Sequence, residues 1–207
     1  MRKTVIVLLA VGLLAAVLAV GGVLYLRGIK PNYSHSTSAS SVHAPTEIWF
    51  DSAGVAHLWA QGDEDLYFAQ GYAHAQERLW QLELFRRVAE GRLAEIFGES
   101  MLDTDKFLRT IGIWQAAELN ETRLSPAVRA WLDAYAAGVN HWIEMHDGPL
   151  PPEFVALRIK PEPWTVRHSL AVEKIMSWDL ALYQGAASLT QSVRQLGADK
   201  AKYLEPD

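Results

Sequence analysis

DLYFAQGYAHAQERLWQLELFRRVAEG, residues 65–91, is the stretch on which the fold turns. From Leu66 the apolar and small positions return every three to four residues: Ala69, Tyr72 and Ala73, then past Gln76 to Leu79 and Trp80, Leu82 and Phe85. That is the period of an α-helix with one buried face, and it predicts a helix of about 25 residues. Asp63, Glu64 and Asp65 set negative charge at its start, where the helix dipole favours it. Arg86 and Glu90 form an i,i+4 pair on the opposing polar side, and Gly91 ends the run.

Upstream, Glu47 to Phe50 and Val55 to Ala60 are short β-prone runs around Asp51-Ser52-Ala53-Gly54, a connection suited to a type I turn closing a hairpin. Downstream, Ser125-Pro126 reads as an N-cap followed by proline at the first helical position. Val128, Trp131 and Leu132, Tyr135, Val139 and Trp142 mark one face of that helix as far as Asp147-Gly148-Pro149. A third helix is expected after Trp164, capped by Thr165, with Ala171, Ile175, Trp178 and Leu182 on one stripe. Leu170, Val172, Met176 and Leu180 make its other faces apolar too, which predicts a helix in the interior of something larger. A weaker fourth helix spans about Leu189 to Leu196. The expected class is α+β, a mainly helical piece with an N-terminal β-hairpin. Eight tryptophans and two-sided helices are more than this scaffold covers alone, so an exposed apolar surface is expected. The chain runs to Leu204-Glu205-Pro206-Asp207 without a capping motif, and the expectation is that it forms part of a bigger protein.

The bulk composition describes neither end of this chain well. It has 207 residues, 50% apolar content, no cysteine and a net charge of -5. Residues 1–30 hold Arg2, Lys3, Arg27 and Lys30 and no acid, so the remainder carries -9. An acidic body without a basic run makes nucleic acid a poor partner. The missing cysteine removes disulfides, thiolate metal sites and thiol nucleophiles together. Thr4 to Leu26 is an unbroken apolar run with no small-x-small cleavage site before Arg27. As a helix it covers roughly 35 Å, enough for a hydrocarbon core of about 30 Å. Residues 1–30 are therefore expected to be an uncleaved signal anchor, a cleaved signal being the alternative, with the body exported to the periplasmic or extracellular side. Residues 31–45, PNYSHSTSASSVHAP, lack a hydrophobic period and are expected to be a flexible tether in which His35 and His43 are solvated.

Motifs for chemistry are sparse. Gly98-Glu99-Ser100 lacks the second glycine of a nucleophile elbow, and there is no phosphate-binding glycine loop, H-E-x-x-H or EF-hand loop. His74 and Glu77 stand three apart on the long helix, a spacing able to give two ligands to one metal or simply to form a polar face. Asp179 falls within the apolar third helix, where a carboxylate either meets a partner such as arginine or faces a cavity. The residues themselves supply scaffold and pocket wall, without a reactive group.

Asp65 to Glu83 closely resembles the long helix of the penicillin acylase (penicillin amidase) family. So does the continuation Arg86-Arg87, Gly91 to Gly98 and Asp105 to Gly112. Ala134 to Asn140, Leu150 to Phe154, Pro161 to Thr165 and Met176 to Leu180 are similar to the family in the same order. The resemblance implies that residues 46–207 are an α-chain-like domain of a four-layer αββα N-terminal-nucleophile hydrolase. Such proteins are exported amide hydrolases, made as one precursor that cuts itself into a smaller α chain and a larger β chain. The new N-terminal serine of the β chain attacks the acyl carbonyl with its own α-amine as base, and the oxyanion-stabilising groups also lie in the β chain. The implied partners are the β chain, a small amide substrate such as a β-lactam or an acyl-homoserine lactone, and the membrane through residues 4–26.

By the same resemblance Met176, Asp179 and Leu180 are expected to line the acyl-group pocket, with core packing an equal account of Met176 and Leu180. No catalytic residue is assigned here; Ser52, Ser125, Ser169, Ser177 and Ser188 read as turn, cap and helix residues. Several family members bind calcium through a carboxylate shortly after this helix, where Ala181 to Ser188 carries no acid, so no metal or other cofactor is assigned. Phe50 and Ala56 stand where the family often has arginine and proline. The rival expectation, from another class, is a membrane-anchored helical protein that binds a partner without catalysis.

Overall fold

The period of residues 65–91 becomes one long helical run, kinked at Arg78 where φ -137° and ψ 25° are not helical, in the computed structural model. It describes residues 2–180, 190–195, 197 and 200, and among the first ten the side chains of Ile6 and Leu9 alone. The elements are α1 (Arg2–Gly28), β1 (Glu47–Phe50), β2 (Ala56–Trp59), α2 (Asp63–Glu90), α3 (Ala94–Phe97), α4 (Leu102–Ile111), α5 (Ile113–Glu121), α6 (Pro126–Met145), α7 (Pro152–Leu157) and α8 (Val166–Leu180). A 3-10 turn, Glu99–Met101, leads into α4. The expected weaker helix has its ends, Leu189 and Leu196, outside the described residues, and 190–195 between them are helical. The chain divides into two compact units, one of Met1–Glu83 with Pro126–Trp164 and one of Leu84–Ser125 with Thr165–Asp207.

In the first unit, β1 and β2 pair antiparallel with Glu47 opposite Trp59 and Phe50 opposite Ala56. Asp51 organises the turn: its Oδ1 accepts from the amides of Ala53 and Val55, both at 2.9 Å. The outer face of this hairpin leaves Trp49 and Trp59 exposed. The core forms where α2 crosses α6, with Phe68, Tyr72, Leu79, Val139 and Trp142 buried. Two glycines set the approach. A Cβ on Gly71 would fall inside the radius of the Tyr135 carbonyl oxygen, and one on Gly138 inside that of Phe68. Asn140, one turn before the end of this contact, pairs with the backbone of Trp164 in both directions: Nδ2 donates to its carbonyl at 2.9 Å and Oδ1 accepts its amide at 2.7 Å. Two family-like segments that are distant in the chain, Ala134–Asn140 and Pro161–Thr165, thus meet through one amide side chain.

Residues 31–45 do not hang free. Tyr33 donates to Glu77 Oε1 at 3.0 Å and packs on the Phe50 ring. His35 Nε2 meets the Tyr72 hydroxyl at 2.7 Å, Thr37 meets His141 Nε2 at 3.1 Å, and the amides of His43 and Ala44 both donate to the Asp65 carboxylate. The composition predicts a tether because it lacks a hydrophobic period. The ordering comes instead from polar side chains waiting on α2 and α6. His35 and His43 themselves remain exposed.

In the second unit, α2 ends in a Schellman motif: the Gly91 amide bonds the Val88 carbonyl and the Arg92 amide bonds that of Arg87. Gly91 has φ 62°, and a Cβ there would strike Arg109 and the Asp105 carbonyl. Asp105, buried on α4, accepts from the amides of Leu93 and Ala94, both at 2.8 Å, and so caps α3. Replacing Asp105 with alanine strands two amides and is expected to lower stability by about 2 kcal/mol. Urea unfolding of the Asp105→Ala and wild-type proteins measures it, and an unchanged midpoint would contradict the cap. The apolar centre of this unit is Ala89, Ile113, Ala117, Ala171 and Ile175.

Candidate functional site

The helix that carries the expected pocket residues is α8, and its start is fixed before its exposed end. Thr165 precedes the first residue of α8, and His168 stands at the third helical position. The Thr165 amide donates to His168 Nδ1 at 2.9 Å, and the His168 amide donates back to the Thr165 carbonyl at 3.1 Å. The side chain at the third helical position thus accepts the cap residue's amide, one half of a capping box, with histidine in the place of glutamate or glutamine. Because Nδ1 accepts, the ring proton is on Nε2, which donates to Glu90 Oε1 at 2.9 Å. Glu90 also accepts from Arg92 at 2.6 Å and from Arg86 at 3.4 Å. Burial raises the Glu90 carboxyl, yet His168 and the two guanidiniums outweigh it and bring the group down to about 2. Arg167 ties the same turn of α8 to α5, donating to Glu121 at 2.9 Å and Glu118 at 2.8 Å, with its guanidinium 5.3 Å above the Trp114 ring.

Beyond that clamp α8 is two-faced. Val166, His168, Ala171 and Ile175 are buried, whereas Met176 and Leu180 are 41% and 74% exposed. Of the residues that make the other faces apolar, Met176 and Leu180 therefore lie open among the described residues, whereas Leu170 packs on the core of this unit. Asp179 is exposed as well, so within this chain it is not a buried carboxylate in need of a partner. Met176, Asp179 and Leu180 stand at i, i+3 and i+4 and share one face of the last described turns of α8. Trp178 turns the other way, its ring 6.2 Å from that of Phe107. Ser177 donates to Glu173 at 3.0 Å along the helix surface, a helical contact as expected. Ala181 to Ser188, the acid-free stretch where the family resemblance would place a calcium ligand, lies outside the described residues. Among the described residues no group of three His, Asp or Glu side chains is placed to hold a metal ion. On α2, His74 Nδ1 meets the Tyr135 hydroxyl at 2.9 Å and Glu77 accepts from Tyr33, so each is engaged with a phenol. Burial pushes the Tyr135 phenol up to about 12.

The first unit holds a recess of about 780 Å³ between residues 33–50 and Phe68, Tyr72 and Gln76 of α2. It includes none of the three expected pocket residues, which belong to the second unit. What α8 presents at this end is an exposed face of Met176 and Leu180 with the carboxylates of Glu173 and Asp179 beside it.

The profile of the penicillin amidase family matches residues 45–207. The chain belongs to the penicillin amidase family. Its members among curated proteins include the penicillin acylase 2 proenzyme of Pseudomonas sp. strain SE83, 38% identical over 71% of this chain and 19% of its own length. The acyl-homoserine lactone acylase QuiP of Pseudomonas aeruginosa is 37% identical over 69% of this chain and 17% of its own. The chain thus spans about a fifth of the length of these curated relatives. Among solved structures, the thermostable penicillin G acylase of Alcaligenes faecalis superposes with a TM-score of 0.60 at 28% identity, covering 77% of this chain and 88% of that one. Among the described residues, a mostly helical chain with one two-stranded antiparallel sheet is the form this part of the penicillin amidase fold takes here. His168 and Asp105 are the supports that motif reading passes over. Thr165-x-x-His168 has capping-box spacing, and only the unusual residue at its last position conceals it.

Proposed function

We propose that this chain is the α-chain portion of an amide hydrolase that cleaves a linear amide to a carboxylic acid, with the reacting groups supplied by a β chain of the same precursor. The observation that carries the reading is the family match over residues 45–207, together with a penicillin G acylase chain of which this one covers 88%. A chain of this extent is thus a recognisable part of such an enzyme. In the proposed reaction the β-chain serine hydroxyl adds to the acyl carbonyl, its α-amine takes the proton, and the amine leaves. Water then releases the acid from the acyl-enzyme ester. Met176 and Leu180 offer the acyl group an apolar wall, and Asp179 stands at its edge. The exposed Trp49 and Trp59 of the hairpin add an apolar area of the kind a β chain would cover. α1 contains one window, Val11–Gly28, apolar and long enough to cross a membrane, and in this reading it is an uncleaved anchor holding the body on the exported side.

The test is expression of the reading frame to its natural end, followed by assays with a β-lactam amide and an N-acyl-homoserine lactone. Acid release after self-cleavage into two chains is expected, and none from residues 46–207 alone. Hydrolysis by that fragment would overturn the placement of the nucleophile, and an uncleaved, inactive full protein would favour a non-catalytic binding role. In the processed enzyme Asp179→Ala is expected to alter KM or acyl preference without blocking cleavage of the precursor. Unchanged kinetics across several acyl groups would reduce Asp179 to scaffold.

A further inference from the structure

The end of α1 is tied to the body, and this bears on how the protein meets a bilayer. Tyr25 lies three residues before the last residue of the helix, and its hydroxyl donates to the Leu150 carbonyl at 2.8 Å. Gly28, the last residue, meets the same loop: a Cβ there would come within 2.9 Å of Pro149 Cγ. A Cβ on Gly148 would likewise lie 3.7 Å from the Gly28 carbonyl oxygen. The loop at 148–150 therefore lies alongside the final turn of α1 rather than beyond its tip. Gly28–Asn32, Trp142 and Met145–Pro149 line a common recess of about 400 Å³. Past Asn32 the chain is held at intervals, Tyr33 bonding Glu77, His35 Tyr72, Thr37 His141 and His43 Asp65.

We propose that the body is seated on the bilayer, with Met145 and the loop at Pro149–Leu150 lying in the headgroup zone of the leaflet from which α1 emerges. This rests on the reading of α1 as a retained anchor. Four observations carry it. The described side chains of α1 are exposed and apolar up to Leu26, apart from the half-buried Tyr25. Arg27 and Lys30 are exposed immediately beyond, where basic side chains meet phospholipid headgroups. Tyr25, an aromatic residue suited to the same depth, is the one that holds the loop. Met145 is 60% exposed beside that loop, an apolar side chain that the body itself leaves uncovered. A helix whose last turn reaches headgroup depth carries its bonded loop to that depth with it. A cleaved or freely tethered body has no such constraint.

The chain has no cysteine, so a single label reports one position. The processed full-length protein carrying Met145→Cys, with any β-chain cysteine replaced, is labelled with bimane. It is reconstituted into phosphatidylethanolamine–phosphatidylglycerol vesicles containing a headgroup nitroxide lipid. The label is expected to be quenched, and the quenching to fall when Gly28→Leu pushes Pro149 away. Tyr25→Phe, which removes one hydroxyl and leaves the helix intact, is expected to weaken it to a lesser degree. A protein that resists carbonate extraction, yet whose label is unquenched, overturns the seat alone, and equal quenching in all three forms overturns the tie of the loop to α1 as what holds it there. A protein that carbonate releases from the vesicles overturns the retained anchor and the seat together.

Discussion

Alanine at Gly71 or at Gly138 is expected to abolish the native packing of the first unit. In each case the added methyl is directed at a backbone carbonyl of the facing helix, Tyr135 for Gly71 and Phe68 for Gly138. A crowded side chain can change rotamer, but a carbonyl within a helix moves only with the helix. The two contacts are also reciprocal: α2 presents a glycine to α6 and α6 presents one to α2. Relief at either therefore means separating the helices and opening the Phe68, Tyr72 and Val139 core. Overpacking commonly costs about 1–3 kcal/mol where side chains adjust, and this site stands at or above the top of that range. Gly62→Ala is the control, because nothing lies within 4 Å of a Cβ at that position. Thermal unfolding of the three variants in the full-length protein is the measurement, or their soluble yield if two of them do not accumulate. Equal stability of the Gly71→Ala and Gly62→Ala proteins would show that α2 and α6 are not closely apposed.

The period of residues 65–91 identifies α2 without further help, because its buried positions are its apolar ones over most of its length. The reading loses accuracy toward the end of that helix. Arg86 and Glu90 look like a solvated i,i+4 pair, yet Arg86 is 1% exposed and the Glu90 side chain only 10%. The reason lies 78 residues away, in the His168 ring that completes the site. No local pattern contains that partner. Residues 31–45 are opaque for the same reason, since Asp65, Tyr72, Glu77 and His141 supply their order from elsewhere. Between Ala94 and Glu121 the helices are four to ten residues long, and such lengths scarcely establish a period. Of the candidate site, the helix and its cap position are legible from Thr165 onward. The direction of its faces is not: apolar residues surround α8, and burial is decided by α5 and by Glu90 on one side only. That asymmetry leaves Met176 and Leu180 facing outward. Their assignment to a pocket came from family resemblance and stands as a proposal.

Replacing Glu90 by glutamine is expected to produce the largest loss in the second unit and to change how stability depends on pH. The carboxylate receives His168, Arg92 and Arg86 together, and an amide can neither balance the guanidinium charge nor accept all three equally well. Removing one member of a buried charged group typically costs about 3–5 kcal/mol, and the amide, which keeps one acceptor oxygen, falls near the lower figure. The sign of the pH effect follows from the depressed native value. Glu90 titrates at about 2 in the folded chain against an ordinary value of 4.5. Its stabilisation is therefore complete above pH 4.5, is lost progressively as pH falls, and is gone below about 2. At about 1.4 kcal/mol per unit, this one group contributes a few kcal/mol to acid resistance. The Glu90→Gln protein should accordingly be weaker at pH 7 and show a shallower decline in stability between pH 4.5 and 2. His168→Gln separates the cap from the charge cluster, because a glutamine at that position still accepts the Thr165 amide while Glu90 loses its ring donor. Urea unfolding across that pH range resolves both effects. If Glu90→Gln declines as steeply as wild type, the carboxylate is not what fixes α8, and the outward face carrying Met176, Asp179 and Leu180 must be positioned by Arg167 and α5 alone.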